Sequence, residues 1–241
     1  MKYNTLKRIG RIVLIGSILY FLNTKKSIAP EYRSIAIESG KPLIEDTRKI
    51  VVLDPGHGMG NRVHGLLDWG ISYQDFKEAE IVLEKAKKIK SMLDSTKYKV
   101  ILTREDNITN SPIEKRPELA NESGADLFLS FHVNDYKGWK SISGSEVYWR
   151  YKKDKGLAEL AAKNLEEITS IPNRYINWGE YLMLKGIKCP AAILEVGYLL
   201  NEGNREKILN EPGVEKAVVK TIEGFLNPAK DSSETITNIY K

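Results

Sequence analysis

Short, continuously apolar runs alternate along this chain with longer stretches in which apolar residues recur every three or four positions. Runs such as Ile50-Val51-Val52-Leu53 are typical of strands buried on both faces of a parallel sheet. The pattern predicts strands at 49–53, 98–103, 126–131, 144–150, 181–184 and 191–196. It predicts helices at 75–94, 111–121, 155–169, 202–209 and 214–226, the second with Ser111 as its N-cap and Pro112 in its first turn. Strands that alternate with helices indicate a single α/β domain with a mostly parallel, helix-flanked, twisted sheet.

The helix predicted over 75–94 has one apolar stripe, formed by Val82, Ala86, Ile89 and Leu93. Glu78 lies four residues before Val82, so helical spacing places it on this buried stripe. Glu80 and Glu84 instead continue into the solvated face. A charged carboxylate that is alone in apolar surroundings costs several kcal/mol, so Glu78 is expected to be paired, protonated or bound to a metal ion.

Three more polar side chains follow apolar runs directly: His57, His132 and Glu195. Parallel strands end at one edge of their sheet, where α/β proteins bind ligands, so we expect these residues to converge there. Two imidazoles, the Glu78 carboxylate and a water suit a catalytic site with one zinc ion, and Glu195 is placed to act as its base. Taken singly, His57 could cap the glycine turn and His132 could be a hydrogen-bonded core histidine. No compact metal-binding motif is present.

Charge and cysteine content narrow the class of protein. The formal net charge is +5, but residues 1–34 hold seven basic residues and one acidic residue. The rest of the chain keeps 30 of the 37 basic residues and 31 of the 32 acidic ones, so it is close to neutral. A neutral body gives no reason to expect nucleic acid as a partner. Cys189 is the single cysteine, which excludes an internal disulfide and a cysteine-rich metal site.

Residues 1–29 are predicted to be a signal peptide or an N-terminal membrane anchor. The apolar run 12–22 follows Lys7, Arg8 and Arg11, and its 11 residues suit a signal-peptide core better than a membrane span of about 20 residues. We therefore expect export to the periplasm, cell wall or exterior, with membrane attachment through 12–22 if the segment is retained. The predicted organisation continues with a linker at 30–48, a catalytic domain at 49–227 and a polar tail at 228–241.

Four blocks of sequence resemble, in order and spacing, the zinc-dependent N-acetylmuramoyl-L-alanine amidase family of peptidoglycan hydrolases. They are Leu53-Asp54-Pro55-Gly56-His57-Gly58, Arg116-x-x-x-Ala120-Asn121, Ala125-Asp126-Leu127-Phe128-Leu129-Ser130-Phe131-His132-Val133-Asn134 and Pro190-Ala191-Ala192-Ile193-Leu194-Glu195-Val196-Gly197-Tyr198-Leu199-Leu200-Asn201. The resemblance covers approximately residues 50–226. It implies hydrolysis of the amide between N-acetylmuramic acid and the L-alanine of the stem peptide.

By position, the resemblance implies that His57, Glu78 and His132 are the zinc ligands and that Glu195 is the catalytic glutamate. Asn134 could bind substrate or orient His132, with stabilisation of a turn as the alternative. Arg116 could pair with an acid near the site or form a structural salt bridge. Two rival functions remain: another zinc amide hydrolase, such as a carboxypeptidase that trims stem peptides, and a non-catalytic module that binds the cell wall.

Overall fold

A computed structural model describes residues 46–136 and 138–228 of the chain. Its centre is a six-stranded sheet with the strand order β6-β1-β7-β10-β8-β9. These strands are β1 (Lys49–Pro55), β6 (Tyr98–Leu102), β7 (Leu127–Asn134), β8 (Ser145–Trp149), β9 (Asn173–Trp178) and β10 (Ala191–Tyr198). Two small ribbons lie between β1 and the first helix: β2 (Gly58–Met59) with β3 (Leu67–Asp68), and β4 (Ser72–Tyr73) with β5 (Phe76–Lys77).

The sheet is mostly parallel. Strand β1 pairs in parallel with β6 and β7, and β7 pairs in parallel with β10. Strand β8 runs antiparallel to β10, and β9 follows β8 in parallel. The carboxyl ends of β1, β7 and β10 therefore meet at one edge, which is where the predicted site residues lie. The prediction of an α/β domain with a mostly parallel sheet is confirmed.

Helices cover both faces of the sheet. They are α1 (Glu78–Met92), α2 (Lys115–Glu122), α3 (Lys155–Thr169), α4 (Glu202–Asn210) and α5 (Gly213–Leu226). Alternate residues of β1, β7 and β10 enter one of two cores: Leu53 and Leu129 face the larger core, with α1, α3 and α5. Val52 and Phe128 face the smaller core, which the turn Leu182–Leu184 closes. Burial on both faces explains why these strands are continuously apolar.

Three elements differ from the sequence prediction. The predicted strand at 181–184 is a 3₁₀ turn over Leu182–Leu184. Strand β9 was not predicted because it is an edge strand whose last four residues are exposed, so no apolar periodicity marks it. Helix α2 begins at Lys115, and Ser111 is not its N-cap: the Ser111 hydroxyl donates to the Thr103 carbonyl instead, at 3.0 Å.

The predicted leader at 1–29, nearly all of the linker at 30–48 and nearly all of the tail at 228–241 lie outside the described residues. Within 46–136 and 138–228, none of the helices combines the length and apolar character needed to cross a bilayer.

Candidate metal centre

The loop after β1 is held from behind by two buried arginines. The Arg104 guanidinium donates from Nε to the Pro55 carbonyl at 2.8 Å and from Nη2 to the Gly56 carbonyl at 2.6 Å. Arg116 Nη2 donates to the His57 carbonyl at 2.6 Å. His57 has a φ of 65°, a left-handed conformation that costs about 1–3 kcal/mol for a residue other than glycine. The two guanidinium groups impose this conformation and so fix the direction of the His57 ring.

Arg116 is 1 % exposed and does not reach the cleft described below. Its Nη1 donates to Asp54 Oδ1 at 3.1 Å, and the Ser130 hydroxyl donates to Asp54 Oδ2 at 2.6 Å. Burial opposes ionisation of Asp54, but Arg116, Ser130 and Thr103 hold its pKa below the usual value. Of the two interpretations of Arg116, the structure therefore supports the salt bridge, which ties the His57 loop to strands β1 and β7.

The structure brings His57, Glu78 and His132 together. Glu78 Oε1 lies 3.0 Å from His57 Nε2 and 3.0 Å from His132 Nδ1, and the two ring nitrogens are 3.1 Å apart. One ligand atom from each residue lies within 4.8 Å of the others. Two imidazole nitrogens and a carboxylate oxygen are a donor set that zinc accepts in catalytic sites. Glu78 is 2 % exposed, whereas Glu80 and Glu84 are exposed, as the phase of the helix predicts.

Neighbouring groups orient these three side chains. His57 Nδ1 lies 3.0 Å from Asp68 Oδ2, so the far side of the ring is paired with a carboxylate, an arrangement common around protein-bound metals. The Val133 amide donates to Glu78 Oε1 at 2.9 Å and the Ile71 amide to Oε2 at 3.0 Å. Although burial opposes ionisation, hydrogen bonds from His132 and His57 hold the pKa of Glu78 far below its usual range. These contacts favour the ionised form of Glu78, which is the form that a metal ion would need.

Two glycines leave the space that the three side chains occupy. A methyl group on Gly70, which has a φ of 64°, would lie 2.4 Å from Glu78 Oε2 and 2.8 Å from His57 Nε2. A methyl group on Gly56 would lie 2.3 Å from His132 Cε1. Only glycine allows the backbone so close to these side chains. The residues present therefore fit a small cation held by His57, Glu78 and His132.

Glu195 lies on the strand next to His132. The two residues are Cα partners in the ladder between β7 and β10, and the Glu195 side chain lines the same cleft. Its Oε2 atom is buried without a hydrogen-bond partner among the described residues. Burial raises the pKa of Glu195 to about 7; His132 opposes this rise, and Glu78 and Glu146 add to it. A carboxyl with this pKa can both accept and release a proton near neutral pH.

Asn134 and Glu146 form a polar contact on the other side of Glu195. Asn134 Nδ2 donates to Glu146 Oε2 at 3.1 Å, and the Tyr198 hydroxyl donates to Glu146 Oε1 at 2.5 Å. Glu146 is buried and is the Cα partner of Glu195 on β8. Glu146, Asp68 and Arg104 were not predicted from the sequence. Their partners are distant along the chain or lie in irregular loops, so no local pattern marks them.

A cleft of about 460 Å³ opens over the centre, within the range of small-molecule sites. Besides the three clustered residues and Glu195, its lining includes Asn134, Arg62, Tyr181, Leu182, Met183 and Ile193. A mostly parallel sheet that gathers two histidines and two glutamates in such a cleft is the arrangement of a metal-dependent hydrolase.

Comparison with known proteins identifies the family. The sequence profile of the N-acetylmuramoyl-L-alanine amidase family matches residues 51–227. A probable cell wall amidase, LytH of Staphylococcus saprophyticus, is 30 % identical over 195 residues, which cover 78 % of this chain and 61 % of the relative. The chain thus spans about three-fifths of the length of that curated relative. The chain belongs to the N-acetylmuramoyl-L-alanine amidase family, as the resemblance of its four sequence blocks predicts.

Solved structures agree with this assignment. The catalytic domain of CwlV, an N-acetylmuramoyl-L-alanine amidase from Bacillus (Paenibacillus) polymyxa var. colistinus, superposes with a TM-score of 0.66 at 28 % identity and covers 75 % of this chain and 99 % of that one. An N-acetylmuramoyl-L-alanine amidase from Clostridium difficile 630 gives a TM-score of 0.67 at 26 % identity, and the match covers 76 % of this chain and 98 % of that one. The fold is thus that of the family.

Proposed function

We propose that this chain hydrolyses the amide bond between N-acetylmuramic acid and the L-alanine of the peptidoglycan stem peptide. In this proposal residues 49–227 form the catalytic domain and one zinc ion is held by His57, Glu78 and His132. The observation that carries the proposal is the convergence of their three ligand atoms beside Glu195 in one cleft. Family membership supports the choice of substrate.

When bound, zinc would supply the Lewis acidity that activates water and polarises the scissile carbonyl. Glu195 then takes a proton from the attacking water, holds it, and donates it to the departing alanine nitrogen. The same carboxyl must be a base first and an acid later, which its raised pKa permits. Asp68 contacts the His57 ring and Arg116 holds the His57 carbonyl throughout. The proposed metal ligands therefore need not reorganise during the reaction.

We further propose that the protein acts on the cell wall outside the cytoplasmic membrane. The relatives described as cell wall amidases support this location. Export through residues 1–29 and attachment through 12–22 belong to the same proposal, and proteomics of membrane, wall and medium fractions would test them.

Metal analysis combined with digestion of purified muropeptides tests the proposed reaction. The unchanged protein should contain about one zinc per chain and release intact stem peptides that begin with L-alanine, whereas a carboxypeptidase would release single residues from the other end. Glu195→Ala should keep its zinc and lose nearly all turnover, typically 10²-fold or more for a lost general base. His57→Ala or His132→Ala should lose the metal. Normal turnover by Glu195→Ala would show that the base is assigned wrongly.

A further inference from the structure

The two ends of the cleft differ in chemistry. On one side the loop after β1 contributes Arg62, whose side chain is 73 % exposed. On the other side the segment before β10 contributes Tyr181 and Leu182, which are 41 % and 62 % exposed. The Arg62 loop follows β1 and Tyr181 packs on Tyr148 of β8, and strands β7 and β10 lie between β1 and β8 in the sheet. The reacting centre of His132 and Glu195 lies between them.

The Tyr181 side is a rigid aromatic wall. The Tyr181 ring packs at 4.9 Å, centroid to centroid, on the ring of Tyr148. The Tyr148 hydroxyl donates to Glu146 Oε2, which Asn134 also contacts. Tyr175 on the outer strand β9 is the Cα partner of Glu146 and is 47 % exposed. Aromatic side chains therefore occur from the cleft, at Tyr181, to the outer strand, at Tyr175, and Tyr148 is held by its hydrogen bond to Glu146.

The two arginines near this wall lie close to carboxylates. Arg174 Nε lies 3.3 Å from Glu146 Oε1, and Arg150 Nη2 lies 3.7 Å from Glu180 Oε1. The carboxylate nearest this wall, Glu146, would repel an anion. At the opposite side, Arg62 Nε lies 3.2 Å from Asp68 Oδ2, and the Arg62 side chain stays largely exposed. An acidic ligand is therefore favoured at Arg62 and disfavoured at Tyr181.

The two halves of the substrate differ in the same way. A sugar ring is neutral and presents a face of C–H groups that packs on an aromatic ring, whereas a stem peptide carries free carboxylates that a guanidinium binds well. We propose that the glycan strand lies against the wall of Tyr181, Tyr148 and Tyr175, and that the stem peptide leaves the centre toward Arg62. This orientation rests on the proposed amidase function.

Two series of defined muropeptides test the orientation. One series carries the same pentapeptide on one, two or four sugars, and the other carries stems of two to five residues on the same disaccharide. We expect kcat/KM of the unchanged protein to rise along both series. In Tyr181→Ala, kcat/KM on the four-sugar substrate should fall about tenfold relative to kcat/KM on the one-sugar substrate. The dependence of kcat/KM on peptide length should remain. Tyr181→Phe retains the ring and should keep the glycan dependence.

Arg62→Gln is the complementary variant, and zinc content is measured for every variant. Arg62→Gln should flatten the dependence of kcat/KM on peptide length and leave its dependence on glycan length intact. The orientation is overturned if Tyr181→Ala loses the same factor on all substrates, or flattens the peptide series instead. If the unchanged protein cleaves none of the substrates, the proposed function itself has failed; if it cleaves them and Tyr181→Ala keeps the full glycan dependence, only the orientation has failed.

Discussion

Replacing Gly70 with alanine should weaken zinc binding at the proposed site without removing the fold. The new methyl group would lie 2.4 Å from Glu78 Oε2, and ordinary van der Waals contact begins at 3.4 Å, so the carboxylate or the loop must move by about 1 Å. Metal sites tolerate deviations of about 0.2 Å in ligand distance. We therefore expect zinc affinity to fall by at least the 10- to 100-fold typical of disturbed ligand orientation.

Gly65→Ala is the matched control. Gly65 belongs to the same loop and has a φ of 74°, close to the 64° of Gly70, but a methyl group there meets nothing within 4 Å. Gly65→Ala should lose about 1–2 kcal/mol of unfolding free energy, because it forces an L-residue into the left-handed region. Gly70→Ala should lose more, because its methyl group also clashes with Glu78 and His57. Only Gly70→Ala should lose zinc.

Zinc affinity is measured by competition with a chromophoric chelator, and stability by thermal unfolding with and without chelator. Wild-type zinc affinity in Gly70→Ala would refute the reasoning. Equal loss of zinc in both variants would also refute it, because backbone strain would then be the cause rather than the lost space.

Two further predictions concern protons and buried charge. Burial favours the neutral ring of His132, but its hydrogen bond to Glu78 and the charge of Glu195 raise its pKa to about 9 in the metal-free protein. Zinc bound by His132, as proposed, would displace that proton, so zinc affinity should rise about tenfold per pH unit from pH 7 to 9 and then level off. A flat profile in buffered chelator competition would contradict this. Glu215→Ala should lower the free energy of unfolding, measured in urea, by about 3–5 kcal/mol. The buried Lys85 Nζ, now 3.0 Å from Glu215 Oε1, would be left without its charged partner. Glu84→Ala, which breaks an exposed ion pair with Lys88 on the same helix α1, should lower the free energy of unfolding by under about 0.5 kcal/mol. Similar losses in the two variants would show that burial does not decide the effect.

Several features of the molecule follow from sequence because they depend on local periodicity. The continuous apolar run at Val51–Leu53 and the amphipathic stripe of α1 are short-range patterns that specify a buried strand and the inward face of a helix. The inward position of Glu78 follows from that stripe. The predicted helix at 155–169 matches α3 residue for residue. The edge strand β9 was missed because its exposed residues carry no such pattern.

The approach of one side chain to another was decided by the tertiary structure. His57, Glu78 and His132 come within hydrogen-bond distance because β1 and β7 are neighbours in the sheet and α1 packs against both. The sequence by itself determined the secondary-structure elements and which polar side chains lie at their ends, because both follow from the local spacing of apolar and polar residues. Only the folded sheet decided that Arg104 and Asp68 brace His57 and that Glu146 stands beside Glu195, because those contacts depend on strand order and loop geometry that no local pattern encodes.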